Sequence, residues 1–89
     1  MKELNKILVI LTKDAKKISH SQKKETIIKN VKNLEKDILK NVPEEFEWYI
    51  VTREILSNID RFLNSEIKFK DFKKLLKEDI MFLRRENNK

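Results

Sequence analysis

The chain of 89 residues contains no glycine and a single proline, and this pairing most constrains what it can become. Glycine takes positive φ without steric cost, so tight turns and phosphate-cradling loops depend on it. A chain without it has no P-loop, no dinucleotide fingerprint and no nucleophile elbow. Each junction between regular elements must instead be built from Ser19 to Ser21, Pro43, and Asn64 to Glu66, with backbone angles that those residues tolerate. Cysteine is also missing, which removes zinc ribbons, CxxC redox pairs and disulfides.

The apolar residues between these breaks repeat at helical spacing. Isoleucine, leucine, valine and phenylalanine make up 30 of the 89 residues, and burying one such side chain stabilises by roughly 1.5 to 3 kcal/mol. Conformational entropy opposes folding by on the order of 100 kcal/mol at this size, so nearly all must be used. An apolar residue off the core stripes therefore stands out. Leu4, Leu8, Leu11, Ala15 and Ile18 share one face of a first helix over about 2–18, with Val9 and Ile10 off its centre, which implies cover on more than one side. Ser19 and Gln22 have capping-box spacing for a second helix over 22–41, striped by Ile27, Val31, Leu34, Ile38 and Val42. Pro43 closes that helix and suits the first position of a third, over 43–63, where Glu44, Glu45 and Glu47 favour the positive dipole end. This third helix, rich in aromatics and isoleucine, reads as the most buried. After a turn at Asn64 to Glu66, Ile67 and Phe69 tuck back on the core and a fourth helix covers 69–86, striped by Phe69, Phe72, Leu76, Ile80 and Leu83. Short turns between helices of similar length imply one domain over 1–89, an all-α, antiparallel, up-down-up-down four-helix bundle.

Catalytic and metal constellations are scarce. His20 sits in a turn between two serines as the single histidine, and a solvated turn residue describes it better than a base or ligand lacking partners. The dipole accounts for Glu44, Glu45 and Glu47, while Glu54 and Asp60 lie close enough to Arg53 and Arg61 for surface ion pairs. The reading is of a non-enzymatic protein without cofactor or metal.

The net charge of +6 is uneven. Residues 1–20 carry +3, 21–42 carry +3, 43–66 carry −4 and 67–89 carry +4. Lines of lysine on helices 2 and 4 could follow a phosphate backbone, which makes a basic helical nucleic-acid-binding or regulatory module the alternative function. Interleaved acids dilute that field, and a solvated bundle exterior explains most of it. The stretch Ile7 to Leu11 is far shorter than the ~20 residues of a membrane span, and no small-residue cleavage site follows it; the chain reads as cytoplasmic. Phe46, Trp48, Tyr49, Met81 and Phe82 are explained mostly by core packing, but off-stripe apolar residues beside Arg84 and Arg85 also describe an interaction patch.

The segment Ile67-Lys68-Phe69-Lys70-Asp71-Phe72-Lys73-Lys74-Leu75-Leu76, with an Ile-basic-Phe turn, an aromatic three residues on and a hydrophobic pair, resembles the entry to the last helix of a known family. So do the opening Leu4-Asn5-Lys6-Ile7-Leu8 and the aromatic and isoleucine spacing of the third helix. The family is that of the immunity proteins against pediocin-like bacteriocins, above all the enterocin A immunity group, and the resemblance covers most of residues 1–85. It implies a basic, cysteine-free bundle that acts inside the cell on a bacteriocin-engaged sugar-transporter complex of the membrane. It also implies that the C-terminal half sets which bacteriocin is recognised, which singles out Lys77, Phe82, Arg84 and Arg85 as partner-binding residues. The basic face would in addition favour the anionic inner membrane surface.

Overall fold

Each of the four apolar stripes forms a helix in the computed structural model, which describes residues 2–89 apart from the side chain of Lys2. The helices are α1 (Lys2–Ser19), α2 (Lys24–Asn41), α3 (Tyr49–Leu63) and α4 (Phe69–Asn87), and no strand occurs among the described residues. Both α1 and α3 lie beside α2 and α4, while among the described residues no Cα of α1 comes within 8 Å of α3, nor any of α2 within 8 Å of α4. The radius of gyration is 12.5 Å, close to the ~12 Å of a compact chain of this length.

Apolar periodicity fixes which faces meet. Leu11, Ile18, Val31, Leu34, Ile55, Ile59, Phe72 and Leu83 are almost completely buried at the centre. Phe62 links the last two helices, stacked on Phe72 at 5.2 Å and tilted against Phe69 at 5.7 Å. The most buried helix is α1, not α3: it buries Leu4, Ile7, Leu8, Leu11 and Ile18, whereas the buried positions of α3 are Ile55 and Ile59 with the polar Thr52 and Asn58. Thr52 is accommodated because its hydroxyl donates to the Tyr49 carbonyl at 2.7 Å. Although α1 is flanked by two helices, Val9 is left 61% exposed.

The junctions depart from the sequence expectation in two places. Ser19 is the last residue of α1 and does not cap α2; its backbone is committed to the final turn that buries Ile18. Lys23 occupies the N-cap with extended backbone and no side-chain cap bond. Ser21 instead closes α1, donating to the Lys17 carbonyl at 2.7 Å and accepting from Asn30 at 2.7 Å.

Pro43 ends α2 as expected, yet α3 begins at Tyr49, six residues later. At 100° per residue a helix running from Pro43 would set Phe46 about 180° from Ile55, facing away from the core. Two successive turns, closed by Phe46 N–H to Pro43 O and Tyr49 N–H to Phe46 O at 3.0 Å each, let the chain bury Phe46 instead. Burying the ring, worth roughly 1.5 to 3 kcal/mol, offsets lost helical hydrogen bonds of about 1 kcal/mol each, and the two turn bonds replace part of that loss.

The third junction shows the cost of lacking glycine. Glu66 N–H bonds Arg61 O at 2.8 Å and Ser65 N–H bonds Phe62 O at 3.0 Å, the paired bonds of a Schellman helix stop. Its left-handed position, usually glycine, is held by Ser65 at φ 63°.

Candidate interaction surface

The four residues singled out on α4 do not share one face. Lys77 and Arg84, seven residues apart, fall on the same side of the helix and turn toward α1. Phe82 lies about 140° around the helix from Lys77 and packs edge-on against Trp48, with ring centroids 5.3 Å apart. It belongs to the packing between α4 and the start of α3. Arg85 is exposed between these two directions. Met81, at 42% exposure, stays with Lys77 and Arg84, whereas Phe46, Trp48, Tyr49 and Phe82 are taken up by the core.

Lys77 and Arg84 border a seam between α1 and α4. The Arg84 guanidinium donates to the Thr12 hydroxyl at 3.3 Å, and the Asn87 side-chain amide donates to Asn5 Oδ1 at 3.3 Å. Two depressions, of about 850 and 560 Å³, lie along this seam and share Thr12, Lys16 and Arg84. The larger is lined on the α1 side by the small residues Ala15 and Ser19 together with Thr12, Lys16 and Ile18. Six cations line the two depressions: Lys13, Lys16, Lys73, Lys74, Lys77 and Arg84. No carboxylate lines either, in a chain that carries 15. The basic surface is thus shared by α1 and α4. Charge summed by segment gives the sign of α1 but does not show that its lysines meet those of α4.

Acids lie between the other helices, and two of them are unusual. Asp14 of α1 is only 6% exposed, and when ionised its Oδ2 finds no donor. Burial, then hydrogen bonding to and repulsion from Asp37 of α2, push the Asp14 carboxyl up to about 7, against weaker opposition from Lys17 and Lys13. Asp79 of α4 repeats the arrangement with Glu54 of α3: burial, the Glu54 hydrogen bond and charge, and Glu78 raise it to about 7. A proton on either aspartate supplies the donor that its neighbouring carboxylate accepts. Glu54 therefore turns toward α4, and the surface ion pairs expected of it and Asp60 do not form among the described residues. Arg53 lies over the Tyr49 ring at 5.8 Å, and Arg61 donates to Asn58 at 3.3 Å.

His20 is exposed in the turn after α1, and Glu44, Glu45 and Glu47 are exposed between α2 and α3. Among the described residues no three His, Cys, Asp or Glu side chains converge as metal ligands would, and no helix is long and apolar enough to cross a membrane. Comparison with protein-family models, curated proteins and solved structures finds no match.

Proposed function

We propose that the chain is a cytoplasmic, non-enzymatic immunity protein that protects its cell from a pediocin-like bacteriocin by binding the bacteriocin-engaged sugar transporter. The observation that carries the reading is the segment Ile67 to Phe72. Its Ile-basic-Phe entry lies half-buried against the core, and Phe69 and Phe72 both meet Phe62. The residues that carry the family resemblance are thus the ones that join the last two helices into a unit. An antiparallel up-down-up-down bundle is part of the same reading, supported by the cyclic packing of the helices and by the nearness of Asn87 to Asn5.

In this reading Lys77, Arg84 and Arg85 meet the partner directly, and Phe82 positions them by anchoring α4 on Trp48. Binding is tested by affinity purification of the tagged full chain from membranes of a sensitive strain. The transporter is expected to co-purify after bacteriocin treatment and not before it. Recovery that is absent, or the same with and without bacteriocin, contradicts the proposal.

A further inference from the structure

We infer that the α1/α4 face is a docking surface for an anionic lipid bilayer, held by lysines and seated by shallow insertion of Val9 and Met81. Of the four large hydrophobic side chains exposed among the described residues, Val9, Leu39, Ile50 and Met81, two lie on this one seam. They stand among six cations and no carboxylate. The acids are concentrated elsewhere, the segment 43–66 carrying −4, so the charge distribution orients the molecule before contact.

The chemistry selects among polyanions. The floor of the larger depression, Ile18, Leu76 and Ile80, is buried, which leaves two exposed apolar side chains, too few for a partner helix that needs a row of anchors at i, i+3, i+4 and i+7. Along a nucleic-acid backbone the same two would gain nothing; no aromatic residue lines either depression, and the Phe69 ring beside them is half-buried, covered by the Lys73 ammonium at 4.7 Å and packed on Phe62, so it is no platform for a base. At a bilayer the division is useful. Lysines meet lipid phosphates, their long stems lying over the apolar floor, while Val9 and Met81 reach the boundary of the acyl chains. The seam runs from Lys73 to Asn88, about 22 Å at 1.5 Å per residue, so both helices lie along the surface.

The test is partitioning of the full chain onto vesicles of equal parts phosphatidylglycerol and phosphatidylcholine, with phosphatidylcholine alone as reference. Binding is expected to the first only and to weaken with salt. Each lysine contributes about fivefold, so Lys16→Gln, Lys73→Gln and Lys77→Gln together weaken binding about a hundredfold. The same change at Lys29, Lys32 and Lys36, exposed on α2, removes equal charge from another face and has a much smaller effect. Val9→Asn with Met81→Gln, which leaves the charge intact, costs about tenfold. All of these positions are exposed or half-buried, and unchanged circular dichroism confirms that the variants fold. Failure of the wild type to bind, or equal losses from the two lysine triples, overturns the inference. So does an unchanged affinity of the Val9→Asn, Met81→Gln variant, which together with duplex DNA binding at the same salt would assign the face to a phosphate backbone.

Discussion

Replacing Asp14 with asparagine should stabilise the protein above neutral pH and do much less in acid. Asp14 is buried beside Asp37, and its carboxyl is raised from 3.8 to about 7. A carboxyl shifted upward holds its proton more tightly in the native state. The stability it contributes is complete below the unfolded value and is lost as pH rises through the folded one. The shift is just over three pH units, worth at most about 4 kcal/mol above about pH 8. At about pH 5 only about a unit of that range has been crossed, so under ~2 kcal/mol has gone. Asparagine has nearly the same shape, never ionises and keeps a donor aimed at Asp37. Asp14→Asn therefore gains on the wild type by about 2 kcal/mol more at high than at low pH, roughly 10 °C in melting temperature for a chain of this size. Urea denaturation followed by circular dichroism across this range is the assay. Wild-type stability that is flat with pH, or an Asp14→Asn variant less stable than wild type in alkali, refutes the reasoning.

The left-handed φ of Ser65 costs a non-glycine residue roughly 1–2 kcal/mol, so Ser65→Gly should raise stability by about 1 kcal/mol in the same denaturation assay, after the extra unfolded-state entropy of glycine is subtracted. Lys23 has extended N-cap geometry without a cap bond, and Lys23→Asp should add about 1 kcal/mol by supplying one. Phe72 is almost fully buried and stacks on Phe62; Phe72→Ala should cost about 3–5 kcal/mol. Ile50→Ser, at a side chain 82% exposed, should change stability by less than ~0.5 kcal/mol.

The core was legible because its signal is periodic and local. Leu4, Leu8, Leu11 and Ile18 in α1, like Phe72, Leu76, Ile80 and Leu83 in α4, are buried where helical spacing puts them. The start of α3 was not legible, since a local rule placing proline at a first helical position competes with the long-range demand that Phe46 reach the core. Ser19 misled for a similar reason: capping-box spacing was present, but the last turn of α1 had already claimed that residue. On the surface, an off-stripe position marks Val9 and Met81 as unusual without showing that they lie along one seam. Asp14 and Asp79 carry no sequence signal of their own, because their properties come from a carboxylate on a neighbouring helix.

Two exposed arginines and a lysine-lined seam are set on a rigid helical frame, and the aromatic junction between α3 and α4 fixes their position. The charge imbalance that segment sums show along the chain becomes, in the fold, a basic α1/α4 side and an acidic loop between α2 and α3.

The most direct test of the central claim is survival. A bacteriocin-sensitive strain expressing the full chain in its cytoplasm should tolerate a higher concentration of a cognate pediocin-like bacteriocin than the same strain carrying an empty vector. Absence of protection against every member of a broad panel, with the protein present and folded in those cells, would contradict it.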